Sequence, residues 1–205
     1  MKEYVIKKVS GTPIDWSVIP KTNIEIYKWT DNDYRPKVNA ALCYDKDAIY
    51  VKFWAYESEI RCIHKEHNSN VFEDSCVEFF LRPNSDPNYI NIETNALGKQ
   101  LVGFGQKRAD RKRIIVSDET MHTVPSVLDA SLYNEEMWTM EYQVSFAFLK
   151  EQYGDVNIVD DGLRANLFKC GDFTKYVHFG MWNEIESDED DFHKPEWFGS
   201  MIFEK

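Results

Sequence analysis

The stretch Phe72-Glu73-Asp74-Ser75-Cys76-Val77-Glu78-Phe79-Phe80-Leu81 decides how the chain is read. It is rich in aromatic residues with a β-branched valine among them, and it stops at Arg82-Pro83, where proline removes a ladder donor. Successive side chains of a strand alternate between its two faces. Ser75, Val77, Phe79 and Leu81 therefore share one side, and Asp74, Cys76, Glu78 and Phe80 share the other. The first side suits a core. The second sets two carboxylates between a thiol and a ring, which points to a sheet face used for more than packing.

The same division recurs on either side of this stretch. Ile49, Val51, Phe53 and Ala55 oppose Tyr50, Lys52, Trp54 and Tyr56, and Ile90, Ile92 and Thr94 oppose Tyr89, Asn91, Glu93 and Asn95. Lys37–Tyr44 and residues 48–57 read as a hairpin across Asp45-Lys46-Asp47. Residues 127–133 and Met137–Ser145 read as a second, turning at Asn134-Glu135-Glu136. Further strands are expected at 4–9, 23–27, 101–105, Leu163–Cys170 and 198–203, and one helix at Phe146–Tyr153, ended by Gly154. No βαβ rhythm runs through the chain. The expected fold is all-β: an antiparallel β-sandwich of two packed sheets with one short helix, residues 1–205 forming a single domain.

Composition narrows the function. A hydrophobic fraction of 43% supports a real core, and 13 Phe, 11 Tyr and 6 Trp supply rings for packing and for ligand platforms. A net charge of -11 argues against nucleic acid, which is gripped by clustered Lys and Arg. The one basic cluster, residues 107–113, reads as a solvated loop. No stretch approaches the ~20 apolar residues of a membrane span, and no apolar leader follows Met1. The chain as written is expected to be cytoplasmic, or secreted if a signal has been removed. Cys43, Cys62, Cys76 and Cys170 lack close metal spacing and sit in apolar runs, so they read as reduced, buried thiols. His64 and His67 have the spacing of a helical chelate but no third ligand nearby, and read as an exposed loop. The acidic run 184–191 reads as a solvated loop dense enough to hold calcium; no other cofactor is required.

Two constellations carry chemistry. Glu78 and Glu93, on neighbouring strands, have the residue types of a two-carboxylate glycosidase. The chain has no nucleophile elbow, phosphate-cradling loop or dinucleotide fingerprint, which favours binding over catalysis. Sugar binding needs rings for the C–H faces of a pyranose and polar groups for its hydroxyls. Trp54, Tyr56, Phe72, Trp182, Phe192 and Trp197 offer the former; Glu78, Asn91, Glu93, Asn95 and Asn183 offer the latter. Trp182, Phe192 and Trp197 have polar sequence neighbours, so they are the rings least explained by packing.

Asn68-Ser69-Asn70-Val71 leading into Phe72–Phe80 resembles the central signature of the family 9 carbohydrate-binding modules. Tyr89–Asn95, the run Asn166-Leu167-Phe168-Lys169-Cys170-Gly171-Asp172, the run His178-Phe179-Gly180-Met181-Trp182-Asn183 and the Pro195-x-x-Phe198-Gly199 ending support it. The resemblance covers residues 37–203 in the right order. It implies a DOMON-like β-sandwich that binds sugar without catalysis, often holds calcium, and works beside a glycoside hydrolase in polysaccharide degradation. It also implies that Glu78 bonds hydroxyls and that Phe72 and Phe192 replace two stacking tryptophans. The position of the family's arginine falls on Glu93, a reversal of charge. The expected ligand site is Phe72, Glu78, Glu93, Asn95, Trp182, Phe192 and Trp197, taking a mono- or oligosaccharide. The alternatives are a glycoside-active enzyme using Glu78 and Glu93, and a sandwich whose loop rings dock on a partner protein.

Overall fold

The computed structural model describes every residue except Thr12, Ser58, Leu132, Asn134 and Glu136. Its strands are β1 (Glu3–Lys8), β2 (Thr22–Ile24), β3 (Ile26–Tyr27), β4 (Lys37–Tyr44), β5 (Ala48–Tyr56), β6 (Cys76–Pro83) and β7 (Tyr89–Asn95). They continue as β8 (Gln100–Gly105), β9 (Lys112–Ile114), β10 (Val124–Pro125), β11 (Met137–Ser145), β12 (Leu163–Cys170), β13 (Phe179–Met181) and β14 (Gly199–Phe203). Hydrogen bonds join them in the order β10-β11-β5-β4-β1-β14-β12-β6-β7-β8-β9, with β2 beside β4 and β13 between β12 and β3.

The chain is mostly β, as its alternating pattern requires, but the described strands make one continuous curled sheet of mixed direction. The departure from a purely antiparallel arrangement lies in β1. Residues 3–6 pair in parallel with 200–203 of β14, and residues 7–8 pair in parallel with 43–44 of β4. This one strand joins two runs of strands. The curl brings them onto a common core in which Val51 and Phe53 of β5 and Trp138 and Met140 of β11 share a cluster with Val77, Phe79 and Leu81 of β6 and Ile90 and Ile92 of β7. Period-two reading therefore assigned the inward faces of β5, β6 and β7 correctly.

The opposite face of β6 and β7 is roofed rather than open. Cys76, Phe80 and Tyr89 pack with Phe168 and Cys170 of β12 under Met181, Ile185, Phe192 and Phe198. A third, smaller cluster covers the outer side of β5, where Trp16 meets Trp54 edge-on at 6.3 Å.

Three local expectations change. The strand begins at Cys76, because Val71–Glu73 form a 3-10 turn. Asp74 behind that turn accepts the Ile63 and His64 amides at 3.0 Å and the Arg61 guanidinium, which pulls the chain off the strand line. Residues 127–131 and 133 form no strand, and Leu132, Asn134 and Glu136 of the hairpin expected there lie outside the described residues. Instead β11 pairs along its whole length with β5, and only the two residues of β10 flank its other edge. Helix α2 falls at Phe146–Tyr153 as expected; Ser145 accepts the Phe148 amide at 3.1 Å, and Gly154 closes it at φ 74°. Two single-turn helices, α1 (Asp118–Met121) and α3 (Ile158–Asp161), are too short to show a helical period in sequence. No helix of the described residues is long and apolar enough to cross a membrane.

A buried ion pair lies inside the core. Lys169 of β12 is 0% exposed, and its Nζ lies 3.3 Å from Glu57, 2.8 Å from His178 Nε2 and 2.8 Å from the Cys170 carbonyl. Trp138 Nε1 donates to Glu57 at 3.0 Å. The ammonium is thus fully partnered, as burial of a charge demands.

Candidate functional site

Register places the site. Glu78 of β6 lies directly across from Glu93 of β7, and both project to the roofed face. Beside them Asn91 donates its amide to Glu93 Oε1 at 2.8 Å. On the next strand, β8, the residues opposite Asn91 and Tyr89 are Gly103 and Gly105. A Cβ at Gly103 would come within 2.6 Å of Asn91 Oδ1 and 3.3 Å of Arg111 Nη1, and one at Gly105 within 3.0 Å of the Arg111 backbone. The bare face of β8 lets the following loop fold back over the strand, bringing Arg111 Nη1 to 3.6 Å from Glu93 Oε1.

Glu78, Glu93 and Arg111 floor a pocket. Phe72 of the 3-10 turn, Cys170, Asp172 and Phe179 wall it, with Asp190, Asp191, Phe192 and His193 from the roof and Arg108 at the mouth. Arg108 reaches Asp191 at 3.8 Å. His193 bonds Tyr89 through Nδ1 at 2.9 Å and lies over Phe80 at 4.9 Å. Phe192 stacks on Phe168 at 4.0 Å and 15°, with Trp29 at 5.7 Å and the edge of Phe179 at 6.0 Å. At 8% exposure it is a packed wall with one strip of ring toward the pocket.

Five carboxylates, Glu78, Glu93, Asp172, Asp190 and Asp191, face two guanidiniums, Arg108 and Arg111. Burial drives Glu78 well above the usual carboxylate range, and the charge of Glu93 adds to it. Burial also lifts Glu93 to about 7, against the pull of Arg111 and the Asn91 amide. Asp172 rises to about 6 through burial. Burial, then Arg111 and Arg108, hold His193 neutral by lowering it to about 2. The two glutamates behave as a pair that keeps a proton near neutral pH.

Among the described residues, three buried polar atoms here have no hydrogen-bond partner: Asn91 Oδ1, Glu93 Oε2 and Arg111 Nη1. Each orphaned group costs about 1–3 kcal/mol. All three atoms are closed to solvent; Glu93 and Arg111 line the pocket, and Asn91 bonds Glu93 from beside it.

The sequence profile of carbohydrate-binding family 9 matches residues 11–203. The chain belongs to carbohydrate-binding family 9. No curated protein matches it significantly. Among solved structures it is similar to a Bacteroides uniformis ATCC 8492 protein provisionally described as carbohydrate-binding, with TM-score 0.85 and 26% identity over 99% of both chains. It shares its fold with a family 9 module of Caldicellulosiruptor kristjanssonii. The glucose complex of that module gives TM-score 0.66 at 13% identity, over 99% of this chain and 96% of that one. The cellotriose complex gives 0.64 at 13%, over 98% and 93%.

In this family 9 chain, Phe72, Glu78, Glu93 and Phe192 of the expected site come together in the pocket. Trp182 does not line it: the ring is 1% exposed, belongs to the main core and fills the space over Gly199, where a Cβ would come within 2.5 Å of it. Trp197 is half-buried against the roof cluster and lies off the pocket lining. Asn95 is buried in another task, tying the 61–67 loop by donating to His64 O at 2.8 Å and Asp74 Oδ2 at 3.0 Å. Arg108, Arg111, Asp172 and His193 were not foreseen. The basic cluster read as a solvated loop contains a strand, β9, and an arginine side chain only 16% exposed. Gly103-x-Gly105, two glycines on one face of a strand just before that cluster, was the signal for it.

The acidic run does not fit calcium. Glu184 lies 3.7 Å from Lys28, Glu189 2.8 Å from Lys194, and Asp191 beside Arg108, so its carboxylates diverge toward separate cations. His64 and His67 are likewise apart, engaged by Glu73 and Asp118 at 2.8 Å each.

Proposed function

We propose that the domain binds a sugar without transforming it, in the pocket floored by Glu78 and Glu93. The scaffold is a two-layer sandwich made by the curled sheet. The observation that carries the reading is a pocket in which Glu78, Glu93 and Arg111 meet an aromatic wall, with buried polar atoms of Glu93 and Arg111 still lacking a hydrogen-bond partner. Adjacent hydroxyls of a pyranose each offer one donor and two acceptors, which satisfies a carboxylate and a guanidinium together. Phe72, partly exposed, supplies the stacking surface; Phe192, already stacked on Phe168, shapes the opposite wall. Glu78 bonds a hydroxyl as a protonated carboxyl, able to donate as well as accept. The fold is shared with a module solved with glucose and with cellotriose, which supports a mono- or oligosaccharide here. A glycoside hydrolase is the partner this role calls for.

Isothermal titration with glucose, xylose, cellobiose and cellotriose tests the reading. Binding of at least one sugar is expected. Arg111→Ala should weaken it by about 10-fold or more, the loss of a charged hydrogen bond. Phe72→Ala should weaken it comparably through lost apolar contact, about 1–2 kcal/mol. Folded protein that gives no heat with any sugar, while a pull-down recovers one dominant protein, would replace the reading with protein docking. Turnover of an oligosaccharide that Glu78→Gln abolishes would replace it with glycosidase chemistry.

A further inference from the structure

Beneath the sugar pocket lie two thiols that hydroxyl binding does not use, beside the Glu78 carboxyl that it does. Cys76 of β6 and Cys170 of β12 are cross-strand partners, and Glu78 is two residues along β6 on the same face. Cys170 donates its thiol to Glu78 Oε1 at 3.0 Å. One ligand atom from each of the three lies within 4.8 Å of the others, and all three residues are buried. No disulfide links the thiols. This is the one grouping of three close metal-type donors among the described residues.

We propose that Cys76, Cys170 and Glu78 form a binding site for a thiophilic divalent cation of the zinc class. The donor set decides the class. Two sulfurs and one carboxylate oxygen are too few and too soft for calcium or magnesium, which take six or more oxygens, whereas they match the sulfur-rich tetrahedral preference of zinc. Three protein ligands leave a fourth position, and Glu78 and Cys170 both line the pocket, so that position opens to it. The ladder holds the donors rigidly: Cys76 pairs with Cys170 on one side and with Asn95 on the other, and Glu78 pairs with Phe168 and Glu93. Binding replaces two S–H bonds and the Glu78 carboxyl O–H bond by two metal–sulfur bonds and one metal–oxygen bond, and releases the three protons to solvent with no change of oxidation state.

The site shares Glu78 with the sugar reading but does not rest on it, and it is tested without sugar. Cobalt(II), a spectroscopic stand-in for zinc, is titrated into the reduced full-length protein, with a non-thiol reductant present. The expected result is one equivalent bound, an intense near-ultraviolet thiolate-to-cobalt band, tetrahedral visible bands, and displacement by zinc. Cys170→Ser and Cys76→Ser should each cut the band at saturation to about half and weaken affinity by at least about tenfold, since even outer-sphere changes cost that much. Glu78→Gln, which keeps the shape of the protonated side chain, should weaken affinity while retaining the thiolate band. Folded, reduced wild-type protein that binds no cobalt, or binds it without the thiolate band, overturns the proposal without any variant. Serine variants that bind as the wild type does would overturn it equally.

Discussion

At the scale of single residues, the pocket depends on an absence of side chains. Gly103 makes room for Asn91 and Arg111 together, and a methyl group there would press against both. Gly103→Ala is expected to displace the arginine and reduce sugar affinity by about tenfold or more. The cost in stability should be about 1–3 kcal/mol, the usual range for overpacking. Titration calorimetry alongside urea unfolding separates the two effects, and unchanged affinity would show that Arg111 does not need that space. Glu78 was legible because alternation fixes which face a strand residue takes. Arg111 was not, because its position is set by a loop folding back over β8, and no local period records that. Trp182 misled for a related reason: polar sequence neighbours suggested exposure, but its ring enters the core over Gly199, a contact made across the sheet.

At the scale of one element, β12 shows how a strand can serve both faces. Phe168 and Cys170 face the roof, while Lys169 points into the main core toward Glu57 and Trp138. Both charged side chains are at most 1% exposed, so removing one leaves the other buried without compensation. Lys169→Met is expected to cost about 3–5 kcal/mol, whereas Lys169→Met combined with Glu57→Gln should recover most of it. Urea unfolding of the two variants checks this; a double variant as unstable as the single one would show that the ion pair itself is needed. The span of β12, Leu163–Cys170, was read correctly. The partner of Lys169 was hidden, since Glu57 sits 112 residues away at the end of β5.

At the scale of the molecule, buried titratable groups set how stability varies with pH. Glu93 is raised from 4.5 to about 7, Asp172 from 3.8 to about 6, and Glu78 well above 4.5. A carboxyl raised in the fold stabilises it below its unfolded pKa, and that contribution is lost as pH rises through the folded value. His178 and His193 are lowered from 6.5 to about 2, so their contribution is present above 6.5 and is lost as pH falls below it. The two groups oppose each other, and thermal stability should peak at mildly acidic pH, between about 4.5 and 6.5. Glu78→Gln mimics the protonated form and should flatten the decline on the alkaline side while leaving the acid side unchanged. Melting temperatures taken from pH 4 to 8 test this, and a steady rise to pH 8 would contradict it. The strand pattern gave the mostly-β class, but the curl could not be read from it, because the parallel pairings of β1 join residues remote in sequence.

Those pairings bear on how the protein is made. Glu3 meets Ser200, and from the residue after that four-residue seam the same strand meets β4. Closing a loop of that length carries a large entropic cost before any contact rewards it, and folds rich in such distant pairings form slowly. As the chain emerges from the ribosome, β4 to β12 can assemble by neighbouring contacts, but β1 is left with one of its two partners missing. The sheet closes only when β14 arrives, so this step of folding waits on residues that follow β1 by nearly the whole length of the domain. Until then the exposed edges of β1 and β12 are the places where the nascent chain most needs protection from pairing with another copy.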